Sequence, residues 1–496
     1  MKRSVSTALS LALFSSIVSG ASPSRTGAEL TADVNSALGL SNSHVARVEV
    51  GPVGSAMVAA IELAGQSAQM VLMPTAVRSP GFQLLEARSD GSLVAVEPVS
   101  TSHFRGELVD VPGSRVAASL TDEGLYARVM LADGQEYWMQ PMAAHVVSAQ
   151  PDEHAVFSSA DVIEVNRPCA SDLLPGMGAV PDLGAVSGGN SGGGTLAMTT
   201  LKIAELACDA DYEYFLDYGS SGAVQSRIES IVNAINLQYE SEVGISHALT
   251  SIIVRTSSND PYSSTDAVTL LNQFRNEWNA NQGGIVRDVA QLFSGKEIDG
   301  GTIGIAWVGA VCSSYGYGMV QSDFNNNFAC ATDLSAHEAG HNWDAGHCNC
   351  TSNTMNPYIT CANTFHPSLT IPEIVAFRDS LGCLSDGSGP GGDPVSIHVA
   401  SIVPETVNVG QGRKRARATV TITDDQGAPA AGALVFASFA GGINETVSGL
   451  TNGSGVVTLT TSGFKKGKLK FTVCVDNVSG GLPYAPADNA ESCDSN

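Results

Sequence analysis

The chain has 496 residues and a formal charge of −24, because 49 Asp and Glu residues outnumber 25 Lys and Arg residues. This length is enough for two to four domains with cores of their own. The acidic balance disfavours nucleic acid and anionic membranes as partners, and it favours a self-repelling exported protein.

Residues 1–20 have the pattern of a secretory signal peptide. Lys2 and Arg3 form a positive end, an apolar stretch follows at 8–18, and Val18-Ser19-Gly20 supplies small residues for cleavage. The stretch is too short and too rich in serine for a membrane anchor, and no later segment is long and apolar enough to span a bilayer. We therefore expect a secreted, extracellular protein without a membrane span.

Residues 21–161 show the pattern of short β-strands. Apolar residues alternate with small or polar ones, and Gly, Pro and Asp-Gly pairs separate the runs. We expect a β-rich first domain. The run GAVSGGNSGGG at 184–194 is too rich in Gly and Ser to pack, so we expect a flexible linker and a processing region there.

Strands and helices alternate in the middle of the chain, which predicts an α/β sheet. The first helix, 224–239, has apolar residues at helical spacing, and the second, 264–278, has Ser264 or Thr265 as its predicted N-cap. The predicted strands are 201–207, 248–256, 289–295, 301–309 and 315–322.

The run ATDLSAHEAGHNWDAGHCNC at 331–350 carries the chemistry. His337 and His341 are four residues apart, so on a helix they project from one face. Two such imidazoles can hold one Zn²⁺, and Glu338 is then placed to act on water bound to the metal. His347 follows six residues later and reaches the same ion if the helix stops near 342–344. The pattern predicts a catalytic zinc site with three nitrogen ligands and an open fourth position.

A bare H-E-x-x-H also occurs by chance, with histidines that are only surface or core residues. His347 at this offset and Met355 in TMNPY favour the metal site. Together they resemble the metzincins, whose H-E-x-x-H-x-x-G-x-x-H motif precedes a methionine turn. The asparagine that follows the second histidine, Asn342, makes the motif similar to that of the adamalysin/reprolysin (ADAM-like) branch. The resemblance implies a zinc endopeptidase whose catalytic domain has a mixed sheet and a zinc-binding active-site helix.

One position departs from that motif, because Asp344 replaces its glycine. The turn usually needs a positive φ, which Asp and Asn tolerate best after Gly. We expect the replacement to be tolerated at a strain of about 1 kcal/mol. An alternative role for Asp344 is an oxygen ligand to the metal.

The resemblance extends over about 200–384, through DVAQLFSGKEIDGGTIGIAWVG before the zinc helix and TMNPYITCANTFHPSLTIPEIVAF after it. It implies a Cys312–Cys383 bridge, and further bridges of unassigned connectivity among Cys330, Cys348, Cys350 and Cys361. HFRGELVDVPGSRVAASLTDEGLYARVMLADGQEYWMQPM at 103–142 resembles the reprolysin propeptide. That similarity implies a pro-domain that assists folding and keeps the enzyme latent.

The resemblance also implies roles for individual residues. Glu338 takes a proton from the attacking water and passes it to the departing amine. Met355 lies beneath the metal without binding it, and the substrate pairs with the edge strand at 302–308. A calcium ion is a further expectation of the resemblance.

Ten cysteines suit an oxidising compartment. We expect Cys474 and Cys493 to pair locally. Cys169 lies where the resemblance implies a cysteine switch, with its thiolate in the open position of the zinc. The alternative is a disulfide, for example with Cys208, and we favour it because the remaining cysteines would otherwise be odd in number.

Residues 395–496 consist of short strand patterns with turns between them, which suggests a β-sandwich similar to immunoglobulin-like modules of secreted hydrolases. The basic run RKRAR at 413–417 is interpreted as a solvated strand edge, with a ligand-binding patch as the alternative. The ligand of this module is not indicated.

We therefore predict a multidomain, secreted zinc endopeptidase that is made as a latent zymogen and hydrolyses proteins or peptides through zinc-bound water. An alternative is an adhesion or binding protein that retains the fold with weak or no catalysis. This alternative stays open because Asp344 replaces the glycine of the motif. A structural zinc with Cys348 or Cys350 as fourth ligand is disfavoured, because oxidised cysteines are not thiolate ligands. The predicted parts are a signal peptide (1–20), a propeptide with its linker (21–195), a metzincin-like catalytic domain (196–384), a linker (385–394) and an Ig-like β-sandwich (395–496).

Overall fold

The computed structural model describes residues 27–48, 57–63, 66–109, 111–174, 201–387, 396–425, 427, 429–479 and 482–496. The predicted signal peptide and the Gly- and Ser-rich linker lie outside these residues. Within them, no helix has the length and apolarity needed to cross a membrane.

The N-terminal part, up to residue 174, is rich in strands, as expected. Eight strands form one antiparallel sheet in the order β1-β10-β9-β8-β7-β6-β3-β2. The helix α1 was not expected, and it forms because Leu30, Val34 and Leu38 recur every four residues and pack against the core. The elements are α1 (Gly27–Leu38), β1 (His44–Arg47), β2 (Met57–Leu63), β3 (Gln66–Thr75), β4 (Arg78–Ala87), β5 (Leu93–Val96), β6 (Ser102–Leu108), β7 (Arg115–Thr121), β8 (Gly124–Met130), β9 (Glu136–Pro141) and β10 (Glu153–Ser158).

The middle part alternates strands and helices around a second, mixed sheet in the order β14-β15-β13-β11-β12-β4-β5. Its central strands are parallel, and β14 closes one edge antiparallel to β15. The elements are β11 (Lys202–Ala210), α2 (Tyr212–Tyr218), α3 (Ser221–Glu242), β12 (Ile245–Arg255), α4 (Ala267–Asn281), β13 (Val289–Ser294), β14 (Gly304–Ala306), β15 (Tyr317–Gln321), α5 (Phe328–Asn342), α6 (Thr370–Ser380) and β16 (Ser385–Asp386).

The N-terminal part is joined to this second sheet. Strand β4 pairs in parallel with β12, so β4 and β5 extend the sheet at the edge opposite β14. Helix α3 is covered by β12 on one side and by β7 on the other. Its buried Glu229 accepts hydrogen bonds from Arg78 (2.6 Å), Thr101 (2.5 Å) and His103 (3.0 Å) of the N-terminal part. The two parts therefore share one apolar core and one buried polar network.

Local details differ from the predictions in three places. The N-cap of α4 is Asp266, whose carboxylate accepts from Thr269 N, and the predicted cap Ser264 bonds to Asp266 N instead. The predicted strand 301–309 is reduced to three residues in β14. Ser385 and Asp386, assigned to a linker, pair with β11.

The cysteines form four bridges among the described residues, and two of them, Cys312–Cys383 and Cys474–Cys493, confirm the expectations. The unassigned four form Cys330–Cys361 and Cys348–Cys350. Cys169 and Cys208 are free, so the favoured disulfide between them is wrong. The even number of cysteines did not predict their pairing, because Cys208 lies fully buried in the core, where a thiol behaves as a small apolar side chain.

The described residues of the C-terminal part, from 396 onward, form strands and one 3₁₀ turn, so this part is rich in strands as expected. Two four-stranded sheets, containing β17-β18-β21 with β22 beside β18 and β20-β19-β23-β24, share one apolar core. The basic run lies in β18, which is paired on both sides, so its interpretation as a strand edge is wrong. The strands are β17 (Ile397–Asn408), β18 (Arg413–Asp424), β19 (Leu434–Gly441), β20 (Glu445–Leu450), β21 (Val456–Thr460), β22 (Lys465–Lys466), β23 (Phe471–Ser479) and β24 (Cys493–Ser495).

Candidate metal centre

Helix α5 carries the first two histidines at the centre of the molecule. Asn327 caps it by accepting hydrogen bonds from Ala329 N and Cys330 N, and every residue of the helix is buried. His337 and His341 are 2% and 1% exposed and project from one helix face, as their spacing predicts. The helix ends at Asn342, inside the predicted range.

The turn after α5 brings the third histidine back. Asp344 adopts φ 71°, the positive value expected at this position, and the chain reverses so that His347 approaches the helix. The Nε2 atom of His341 lies 3.1 Å from Nε2 of His337 and 3.2 Å from Nε2 of His347. The remaining Nε2 pair, His337 and His347, is 3.3 Å apart. The structure therefore brings together all three predicted ligands.

The far nitrogen of each ring has its own acceptor. His337 Nδ1 lies 2.5 Å from Thr354 O, His341 Nδ1 lies 2.8 Å from Ala345 O, and His347 Nδ1 lies 3.0 Å from an oxygen of Asp172. With Nδ1 as donor, each Nε2 keeps its lone pair. Burial lowers the pKa of His337 to about 3 and that of His341 well below its usual range, so both rings are neutral at neutral pH.

This donor set fits a zinc ion. Three lone pairs aimed at one point repel one another unless a cation lies between them. Zn–N bonds of about 2.0–2.1 Å at tetrahedral angles place ligand nitrogens about 3.3 Å apart, close to the spacings seen here. Each ring also has the Nδ1 partner that zinc-binding histidines commonly have. No comparable set of oxygen donors supports the expected calcium ion among the described residues.

Glu338 lies beside the three rings and is fully buried. Its Oε1 atom has no hydrogen-bond partner among the described residues, and burial raises the pKa of its carboxyl to about 8. Gly304 in β14 leaves room for this group, since a Cβ there would collide with the carboxylate. An unpartnered carboxylate oxygen beside a metal position is suited to hold a water molecule and accept its proton.

Cys169 reaches the same point from the N-terminal part. Its Sγ lies 3.5 Å from His341 Nε2 and 3.6 Å from a Glu338 oxygen. The sulfur and one nitrogen of each of the three rings lie within 4.8 Å of one another. Burial, and then the nearby Glu338, raise the pKa of the Cys169 thiol. Cys169 is therefore free and lies beside the three rings, which is the position that the switch alternative predicts.

The segment around Cys169 is held between two walls of a cleft. On one side, Ile303 N donates to Pro168 O at 3.1 Å and Ala170 N donates to Gly304 O at 2.9 Å. On the other side, Cys169 N donates to Pro357 O at 3.0 Å. The segment runs parallel to β14 and uses the free backbone groups of that edge strand.

Two acidic residues near the histidines were missed by sequence analysis. Asp172, from the same segment as Cys169, is the partner of His347. Asp333 lies one turn before His337 and is fully buried, and it accepts from Thr354 Oγ1 (2.7 Å) and Asn363 N (2.9 Å). It therefore holds the loop whose Thr354 carbonyl orients His337. The sequence did contain a signal for Asp333: an acidic residue four positions before the predicted ligand His337, in a helix of small residues.

The other residues singled out near the site lie outside the ligand set. Met355 is buried against Gly340, where an added Cβ would lie 2.5 Å from its sulfur. Asp344 packs its carboxylate against Gly309 and does not belong to the ligand cluster among the described residues. Cys348 and Cys350 are bonded to each other, which removes them as thiolate ligands.

The comparisons with known proteins agree on a metallopeptidase. Residues 200–369 match the profile of Reprolysin_5, metallo-peptidase family M12. Disintegrin and metalloproteinase domain-containing protein 33 of Homo sapiens is 25% identical over 339 residues, which are 63% of this chain and 40% of that protein. Disintegrin and metalloproteinase domain-containing protein 19 of Mus musculus is 31% identical over 179 residues, which are 34% of this chain and 19% of that protein.

The chain thus spans less than half the length of these two relatives. The crystal structure of metalloproteinase-II from Bacteroides fragilis aligns with 71% of this chain and 96% of its own, at a TM-score of 0.38 and 14% identity, which is too slight a similarity to carry an argument. The profile match and the two relatives together identify residues 200–369 as a metallopeptidase domain of family M12, an adamalysin/reprolysin-like metzincin.

Proposed function

We propose that this protein is a secreted zinc endopeptidase that is made as a latent zymogen. The observation that carries the proposal is the convergence of three Nε2 atoms, 3.1–3.3 Å apart, beside the unpartnered Oε1 of a buried glutamate. His337, His341 and His347 hold the metal in this proposal. When bound, Zn²⁺ supplies Lewis acidity that activates water and polarises the scissile carbonyl.

Glu338 is the proton carrier. Its unpartnered Oε1 and its position in a dry site suit a group that takes a proton from the attacking water and delivers it to the departing amine. Gly304 keeps the space for that carboxylate open. The edge strand β14 binds the substrate backbone, because its outer N–H and C=O groups are free once the segment around Cys169 leaves.

Latency is assigned to the segment 167–172. Its backbone occupies the edge of β14 that an extended substrate needs, and its Cys169 thiol lies where the open metal position belongs. Asp172 holds His347 from the same segment. Since these contacts block both the metal and the cleft, the segment must leave the site before turnover, and removal of the N-terminal part makes that departure permanent. We propose the division at 21–195, 196–384 and 395–496 predicted from the sequence, in which the first part contains this segment.

A peptidase assay on quenched-fluorescence peptides tests the proposal. The processed protein should cleave, a zinc chelator should stop cleavage, and added Zn²⁺ should restore it. Glu338→Gln should lower kcat by about 10²–10⁴-fold while zinc content stays at one ion per chain. Absence of cleavage by correctly processed protein with zinc bound would favour the alternative, a binding protein with the metzincin fold. Cleavage that resists the chelator would refute the metal mechanism.

A further inference from the structure

The C-terminal part carries a concentrated patch of positive charge. All eight Lys and Arg residues of 396–496 lie within 413–417 and 465–470, and eight Asp and Glu residues balance them, so residues 1–395 carry the whole charge of −24. The two segments are neighbours in space, because β22 pairs with the start of β18. We call the region formed by these eight residues the basic face; Arg413, Arg415, Arg417 and Lys466 share one side of the sheet.

The pairing within the basic face costs stability. Arg413 lies opposite Lys466 and Lys414 lies opposite Lys465, so like charges face each other across two strands. An edge strand often carries cations to prevent aggregation, but β18 is paired on both sides and needs no such protection. Neighbouring strands usually avoid like charges at opposed positions. Where a protein keeps such pairs without a structural benefit, a functional site is expected.

The outer surface of β18 is flat and hydrophilic. Residues with odd numbers face outward, because the even-numbered Ala416, Ala418 and Val420 are fully buried in the core. The outward row is therefore three arginines followed by three threonines, at 413, 415, 417, 419, 421 and 423. Alternate residues are about 7 Å apart, so the three guanidinium groups extend over about 14 Å.

These arginines are available to a ligand. Arg417 pairs with Glu405 at 3.3 Å, whose side chain is half exposed. No ion pair joins Arg413 or Arg415 to a carboxylate among the described residues. The Arg413 guanidinium lies 4.7 Å from the centre of the Phe464 ring, and Arg415 interacts electrostatically with Glu445 without a direct contact. Arginine binds carboxylate and sulfate groups through two parallel hydrogen bonds, which lysine does not match.

The basic face also points away from the rest of the protein. The C-terminal part contacts the N-terminal part through Asn477, which donates to Glu107 at 2.9 Å, and through Gly432 beside Met73. Both contacts lie at the Asp424 end of β18, where the chain turns into β19. Arg413 is at the opposite end of this strand, about 35 Å away.

We propose that the basic face binds an acidic polysaccharide that carries carboxylate or sulfate groups. A row of Arg followed by Thr on an open sheet suits an extended, hydroxylated and anionic chain. Duplex DNA is a poorer fit, because one charge per about 1.7 Å would be strongly repelled by the acidic remainder of the protein. A membrane surface is also a poorer fit, because membrane-bound faces combine basic residues with an inserted apolar row. The outward row of β18 is hydroxylated, and the exposed Phe464 beside Arg413 is one aromatic ring and not a row.

Binding of the full chain to immobilised chondroitin sulfate tests the proposal, in a Glu338→Gln background to prevent autolysis. We expect salt-sensitive binding that added alginate, a carboxylate-only polymer, or dextran sulfate competes away, and no binding to neutral dextran. Arg413→Ser, Arg415→Ser and Arg417→Ser together should weaken binding by about tenfold or more, which corresponds to at least about 1.4 kcal/mol.

Two further variants make the result specific. Replacing the same three arginines by lysine keeps the charge and the fold, and should weaken binding less than serine does. Arg47→Ser, Arg88→Ser and Arg115→Ser remove three exposed arginines from the N-terminal part and should leave binding unchanged. The proposal is overturned if chondroitin sulfate is not bound, if the control triple variant loses binding equally, or if duplex DNA or phosphatidylserine vesicles bind more tightly.

Discussion

The Sγ atom of Cys169 lies 3.5 Å from Nε2 of His341, although 172 residues separate them in the chain. The same thiol lies 3.6 Å from the carboxylate proposed to activate water. Because one side chain contacts both a proposed metal ligand and the proposed proton carrier, its removal should change activity without any change in the residues proposed to be catalytic.

Cys169→Ser should activate the uncleaved chain. A neutral hydroxyl binds zinc much less well than a thiolate, so the open position would become available to substrate. We expect peptidase activity about tenfold or more above that of the uncleaved wild type, which corresponds to roughly 1.4 kcal/mol of lost contact. Intact mass must show that the N-terminal part is still attached. Cys208→Ala is the matched control, because this thiol is buried in β11; equal activity of the two variants would contradict the switch.

Asp333→Asn should weaken zinc retention. The amide replaces one acceptor oxygen by a donor, so part of the network that holds the Thr354 carbonyl against His337 is lost. Removal of such a supporting group typically costs about 10–100-fold in metal affinity. Competition with a fluorescent chelator measures that affinity directly. Asp211→Asn, at a buried N-cap remote from the rings, should lower stability without changing zinc affinity. Identical zinc affinity in wild type and Asp333→Asn would refute this role.

Asp344→Gly should stabilise the metallopeptidase domain. At φ 71°, glycine is free of the strain that a side chain experiences, so we expect a gain of up to about 1 kcal/mol, or roughly 2–4 °C in Tm. Asn, which tolerates this φ, should leave Tm unchanged, whereas Val should lower it. Thermal unfolding of the four proteins checks the order, and a destabilised glycine variant would show that the Asp344 carboxylate makes a needed contact with the segment at Gly309.

His247 should make the domain sensitive to acid. The ring is fully buried between Asn236 and Trp343, and burial lowers its pKa to about 4. Because the unfolded state takes up the proton at about 6.5 and the folded state only near 4, the stability due to the neutral ring is complete above pH 6.5. It is lost as the pH falls toward 4, by roughly 3 kcal/mol.

Urea unfolding at pH 7 and pH 4.5 measures that effect. His247→Gln should flatten the pH dependence, because glutamine does not titrate, even if its stability at pH 7 is lower. His398→Gln, in the C-terminal part, should keep the wild-type pH dependence of the metallopeptidase domain. An unchanged slope in His247→Gln would show that other groups account for acid unfolding.

Much of the fold followed from local patterns. The spacing of apolar residues predicted α3 and α4 and the strands between them, with differences of a few residues at their ends. The N-cap of α4 was misplaced because three neighbouring polar residues compete for one backbone position, and only their final geometry selects Asp266. Helix α1 was missed because its apolar stripe is short and acquires its partners from the core.

The sequence by itself determined that the three candidate metal ligands converge, since the helical period places His337 and His341 on one face and one positive-φ turn returns His347 toward them. It also determined the strand-rich ends of the chain, because alternation with period two is a local property. Only the tertiary structure decided that Cys169 and Asp172 meet these rings, that Asp333 supports them and that the basic run lies in a central strand. Those contacts join residues far apart in the chain, and packing of the whole core, which no local pattern encodes, selects them.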